Sequence, residues 1–205
     1  CRAADAADIV PIARVAVNLP QNLLRYLDAG ALGIQVPMVN SREEAERVVA
    51  ATKYPPQARR GLAGTRASGY GAGMGLPDYV RVANEETLVV VQVETREALA
   101  NVEQIATVAL VDVVFLGPTD LSSALGYPGQ ATHPEVLAAV ERAGKTILDA
   151  GKAVGTLAHD LEAYKHWRGL GFQYLCTGLV GFIANAGRAH LRAVREYERT
   201  IGGGG

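Results

Sequence analysis

Two cysteines, Cys1 and Cys176, are too few for a disulfide framework, and neither has the paired spacing of a zinc site. Their scarcity points to a reducing compartment, with the cytoplasm as the expected location. No apolar run approaches the roughly 20 residues that cross a bilayer, and nothing resembles a signal peptide. An excess of either charge is also missing. Twenty Lys and Arg stand against 21 Asp and Glu with no basic cluster, which argues against nucleic acid or an anionic membrane as the main partner. A small, individually recognised molecule remains. The glycine-rich stretch Gly61 to Gly75 lacks the spacing and lysine of a P-loop, and reads as a lid or interface loop. Of the four histidines, His133, His166 and His190 lie at or on helices and read as structural or solvated, and His159 has no nucleophile beside it in sequence, so no triad is assigned.

What is present suits one large core, with 49% hydrophobic residues across 205 positions. Residues 1–201 read as a single domain, and the glycines of 202–205 as a disordered tail. Apolar, β-branched runs at 9–15, 33–39, 89–95, 111–116, 153–158 and 172–177 read as strands. Helix signals lie between them: Asn18 and Pro20, a capping box at Ser41 to Glu44, Thr95, Pro134, and Asp160. Residues 120–132 read as a loop, and a last helix covers about 183–200. Strict alternation of strand and helix means a parallel sheet with helices outside. A doubly wound sheet and a (β/α)8 barrel both satisfy it. A barrel takes about 250 residues, and the chain starts at Cys1 inside an apparent helix. The expectation is therefore an α/β TIM (β/α)8 barrel with about six of its eight units, its first two strands absent.

Two of the runs end on acids. Glu94 follows Val89-Val90-Val91-Gln92-Val93, and Asp120 follows Val113-Val114-Phe115-Leu116-Gly117-Pro118-Thr119. Parallel α/β folds keep their chemistry at such strand ends. Gln92 and Glu94 are two apart and share a face, the interior in a barrel, while Val91 and Val93 point away. Two carboxylates on neighbouring strand ends can hold one hard divalent cation, with waters and substrate oxygens completing its shell. The plainer alternative is that each acid caps the helix after it. Arg14, at the end of an earlier strand, either clamps a substrate carboxylate or pairs with a helix acid. Asp28 sits just before the helix stop at Gly30, where the macrodipole disfavours an acid. Cys176 reads as core, and Trp167, Tyr70 and Tyr174 carry no specific signal.

Taken together, Val36-Pro37-Met38-Val39, Tyr54-Pro55-Pro56, Arg60-Gly61, Arg66-Ala67-Ser68, Gln92-Val93-Glu94-Thr95-Arg96-Glu97-Ala98 and Gly117-Pro118-Thr119-Asp120-Leu121-Ser122 resemble the HpcH/HpaI aldolase family. Gly126-Tyr127 and His133-Pro134-Glu135 continue the match. The resemblance implies a metal-dependent class II aldolase that cleaves 4-hydroxy-2-keto acids to pyruvate and an aldehyde. Glu94 and Asp120 would be the metal ligands, for Mg²⁺ or Mn²⁺ foremost and Co²⁺ or Zn²⁺ as alternatives. Gln92 would contact the bound keto acid or its waters, Arg14 would lie near the carboxylate and keto oxygen, and Gly117, Pro118 and Thr119 would line the substrate. Asp28 resembles the acid that orients the family's catalytic histidine. That histidine belongs to an Asp-x-Glu-His type segment that this chain does not contain, so it is expected upstream of Cys1. Where the family often carries an acid after the last strand's glycine, Leu179 follows Gly178. The resemblance also implies a homo-oligomer, often a hexamer, with the last helix packed on a neighbouring subunit. A metabolite-binding barrel without catalysis and a citrate lyase β-like acyl-CoA lyase are the competing readings.

Overall fold

The computed structural model describes residues 1–202. In chain order the elements are α1 (Arg2–Ala6), β1 (Ile12–Arg14), α2 (Pro20–Asp28), β2 (Gly33–Val36), α3 (Arg42–Thr52) and α4 (Leu76–Glu86), with a 3-10 segment at Arg66–Gly71. Then follow β3 (Leu88–Val93), α5 (Arg96–Ala100), α6 (Val102–Ala106), β4 (Val113–Leu116), α7 (Pro118–Leu125), α8 (Pro134–Asp149), β5 (Ala153–Leu157), α9 (Leu161–Gly169), β6 (Tyr174–Cys176) and α10 (Leu179–Gly202). All strand pairs are parallel, and the sheet order is the chain order, β1 to β6. No helix among the described residues is long and apolar enough to cross a membrane.

The alternation of side chains along each strand gives the sheet two different faces. On one face Ile34, Val36, Val89, Val91, Val93, Val114, Leu116 and Val154 pack under the helices, against Leu23, Val48, Ile105, Val140 and Ile147. On the other face Val90, Val113 and Phe115 form a smaller apolar cluster with Leu157, Tyr174 and Cys176. Gln35 and Gln92 lie buried on that same face. The Tyr174 hydroxyl on β6 donates to Gln35 Oε1 on β2 at 3.2 Å. Four strand spacings in a flat sheet would separate these strands by roughly 19 Å. The sheet is therefore rolled into a half-barrel, with the second face concave. Gly155 allows this. It pairs in register with Phe115 on one side and Tyr174 on the other, and a Cβ there would lie 2.8 Å from Tyr174 Cδ1 and 2.9 Å from Phe115 Cδ2.

Some local expectations are corrected. Residues 118–125 are helical rather than part of a loop, because the Gly117-Pro118 turn signal is a proline at the first helical position and Gly126, at φ 97°, ends the helix. Asn18 does not cap α2; its side chain donates to the Glu44 carbonyl instead. The helix starting at Thr95 breaks at Asn101, whose amide donates to the Asn40 carbonyl. The last helix begins at Leu179 and includes Gly202, while 203–205 of the expected tail lie outside the described residues.

The packing of α8 against the segment between α9 and β6 depends on Gly144, where a Cβ would stand 2.5 Å from Cζ of Phe172, a ring only 1% exposed. Gly144→Ala should lower unfolding stability by about 1–3 kcal/mol in a urea titration. Gly187→Ala on α10, with open space around it, should not. Equal stability of wild type and Gly144→Ala would show that the ring has room to move.

Candidate functional site

The concave face ends at its top in two acids. Glu94 is the first residue after β3, and Asp120 lies in the first turn of α7, directly after β4. Neither acts as the helix cap that the plainer reading allowed. Thr95 caps α5 by accepting from the Ala98 N–H at 3.0 Å, and Gly117 occupies the cap position of α7. Gly117 also makes room for Glu94, since a Cβ there would come within 2.8 Å of Glu94 Oε2 and 3.2 Å of Gln92 Nε2.

Glu94 is 2% exposed. Oε1 accepts the Met38 backbone N–H at 3.0 Å, which the left-handed conformation of Met38, φ 55°, presents to it. Oε2 accepts from Gln92 Nε2 at 2.5 Å. Burial pushes the Glu94 carboxyl above the usual range; the Met38 and Gln92 hydrogen bonds oppose this, and the nearby Asp120 carboxylate adds to it. Neither acid has an ion-pair partner among the described residues. Two hard oxygen donors on one site, one of them hidden from water and without a cation, fit a divalent ion such as Mg²⁺ or Mn²⁺. Among the described residues no third His, Cys, Asp or Glu joins them, so substrate and water oxygens would complete the shell.

Gln92 connects this pair to the rest of the face. Its Oε1 accepts from Gln35 Nε2 at 2.8 Å and from Arg14 Nε at 3.4 Å. The resulting cavity, about 380 Å³, is lined by Arg14, Gln35, Gln92, Phe115, Gly117, Thr119, Asp120, Leu157 and Cys176. Cys176 both packs on the small apolar cluster and borders the cavity, and burial holds its thiol above the usual range, in the protonated form. Arg14, Gln92, Gly117, Thr119 and Asp120 all line this one cavity. Pro118 is buried at the start of α7 and does not line the cavity.

Asp28 does not line this cavity. It ends α2 at the opposite rim, because that helix runs back toward the start of β2, and it pairs with the buried Arg60 at 2.8 Å. Arg60 in turn stacks over the Tyr54 ring, 4.4 Å from its centroid. A larger cavity at that rim, about 520 Å³, is lined by Gly30, Arg60, Arg66 and Tyr79 among others and contains neither Glu94 nor Asp120. Three contributors escape the sequence reading. Gln35 is a polar residue in an otherwise apolar strand, a signal that was there to use. Tyr174 gives no local sign of its long-range partner, and the Met38 N–H depends on a backbone angle.

A profile of the HpcH/HpaI aldolase/citrate lyase family matches residues 1–184. The hydroxypyruvate/pyruvate aldolase of Cupriavidus necator is 40% identical over 191 residues, 92% of this chain and 70% of that protein. The 4-hydroxy-2-oxo-heptane-1,7-dioate aldolase of Shigella flexneri is 42% identical over 171 residues, 82% of this chain and 63% of that protein. The solved structure of an HpcH/HpaI aldolase/citrate lyase family protein from Burkholderia cenocepacia superposes with a TM-score of 0.87 at 35% identity, covering 95% of this chain and 77% of that one.

The raised Glu94 carboxyl has a measurable sign. A folded state that holds this proton more tightly than the unfolded chain is favoured below the ordinary glutamic acid range, and loses that advantage as pH rises through the raised value. Without divalent ions, Asp120→Asn removes the neighbouring charge, so its stability should fall less than wild type over this window. Parallel pH–stability curves for the two proteins would show that the acids do not interact.

Proposed function

The chain belongs to the HpcH/HpaI aldolase/citrate lyase family, and on that premise we propose that it carries the substrate site of a carbon–carbon lyase. Its reaction is the cleavage of 4-hydroxy-2-keto acids to pyruvate and an aldehyde, with Mg²⁺ or Mn²⁺ as the cofactor. The observation that carries this reading is the buried Glu94 beside Asp120, tied through Gln92 to Arg14 and without an ion-pair partner among the described residues.

A divalent cation held by Glu94 and Asp120 would supply Lewis acidity, drawing electron density toward the keto oxygen as the C3–C4 bond breaks. The chain's own residues then have separable tasks. Arg14 lines the cavity and has its Nε taken by Gln92, which leaves the terminal nitrogens for the substrate carboxylate. Gln92 uses Oε1 for Arg14 and Gln35 and one N–H for Glu94, which leaves a second N–H for a substrate oxygen. Gly117 and Thr119 border the space for substrate, and the absence of a Cβ at Gly117 sets where the Glu94 carboxylate stands. Phe115 and Leu157 form the apolar wall of the cavity. No histidine lines the cavity among the described residues, so the family's histidine base is not assigned to a position here.

Pyruvate release by the intact gene product is the test. Release should require Mg²⁺ or Mn²⁺, stop in EDTA and return when metal is restored. Glu94→Gln and Asp120→Asn should each lower kcat/KM by about two to three orders of magnitude. Gly117→Ala should weaken Mn²⁺ binding by pushing Glu94 aside, and Arg14→Lys should raise KM for the keto acid while leaving metal binding intact. Metal binding without pyruvate release would reduce the reading to that of a binding barrel.

A further inference from the structure

Tyr174 stands on β6, at the far edge of the sheet from Arg14 on β1, yet the two are linked through one hydrogen-bonded pair of side-chain amides, Gln35 and Gln92. The connection runs through two glutamines whose orientation is set by chemistry. Arg14 Nε can only donate, and an ionised Glu94 can only accept, so Gln92 must turn Oε1 toward Arg14 and Nε2 toward Glu94. With Oε1 of Gln92 as an acceptor, Gln35 must present Nε2 to it, and Gln35 Oε1 is then turned toward β6. The group that meets it there is the Tyr174 hydroxyl, at 3.2 Å.

We propose that Tyr174 and Gln35 are positioning residues, which through Gln92 hold the Arg14 guanidinium and the Glu94 carboxylate in fixed relation across the concave face. The proposal rests on the reading of Glu94 and Asp120 as cation ligands. A glutamine amide at such a position has two rotamers of similar shape that exchange oxygen for nitrogen. If Gln35 turned over, it would offer an acceptor to Gln92 Oε1, and the two oxygens would repel. Gln92 could relieve that only by turning as well, which would face its oxygen to Glu94 and its donors to Arg14. Arg14 and Glu94 allow Gln92 only one orientation and so set Gln35 as well, and the Tyr174 hydroxyl, donating to the Gln35 oxygen thus presented, holds that amide in place across the face. Burial, with Cys176 beside it, pushes the Tyr174 phenol up to about 12, so the hydroxyl keeps its proton at any working pH. Its ring is fixed independently: it meets Phe115 edge-on at 6.1 Å between centroids, in the space left by Gly155.

The informative substitution is Tyr174→Phe, which removes one oxygen and keeps the ring. In the metal-free protein, the Gln92 side-chain amide protons should move in NMR spectra and exchange faster with solvent. Mn²⁺ affinity, read from the free-ion EPR signal, should weaken by about tenfold, the lower range for loss of an outer hydrogen-bond partner. Gln35→Leu should weaken it similarly. The double variant should be no worse than the weaker-binding single, because each change breaks the same connection. Unchanged Gln92 resonances and Mn²⁺ affinity in Tyr174→Phe, or losses that multiply in the double variant, would overturn the proposal while leaving the metal site standing. A wild-type protein that binds no Mn²⁺ would remove the metal site, and the proposal with it.

Discussion

A carboxylate kept from water needs compensation, and the compensation of Glu94 organises the interior of this half-barrel. It draws a backbone N–H from the loop after β2, an amide from its own strand, and a glycine from the end of β4. Hydrogen bonds of this strength are worth several kcal/mol less than the hydration an isolated ionised acid gives up. The remaining deficit is visible as the upward push on its pKa, and a nearby second acid increases it. The arrangement is thus complete as a fold and incomplete as a charge distribution, which is the condition for binding a cation.

The parts of this site that lie along one strand were legible from sequence. Alternation places Gln92 and Glu94 on the same face, and strand ends place Glu94 and Asp120 together, because those relations follow from the two-residue repeat and parallel pairing. Parts that depend on two distant segments were not. Tyr174 and Gln35 are 139 residues apart, and nothing near either residue reports the curvature that joins them. The surroundings of Asp28 were equally hidden. Its unfavourable place at a helix end hinted at a special role, but the direction of α2 carries it to the other rim, where Arg60 neutralises it. Helix α7 was missed because Gly-Pro signals a turn and a helix start equally well.

Glycines do unusual work on the concave face. At Gly117 and Gly155 the backbone is ordinary, and what matters is volume: one lets a carboxylate settle beside its strand, the other lets two aromatic rings share a row. Gly155 lies in the register that links β4, β5 and β6, and Gly117 follows β4 with its N–H donating to the Val93 carbonyl of β3. The apolar helices on the convex side set how the sheet rolls, and these small residues set what can stand inside the roll.

That roll gives the Tyr174 to Gln35 contact a second meaning. It is a chord across an arc, spanning from the second strand to the sixth, so its length reports how tightly the sheet is wound. Strands β1 and β6 are the two ends of the arc. A change in the winding would alter that chord, and Gln35 and Gln92 connect the chord to Glu94 by hydrogen bonds that run across the arc rather than along a strand.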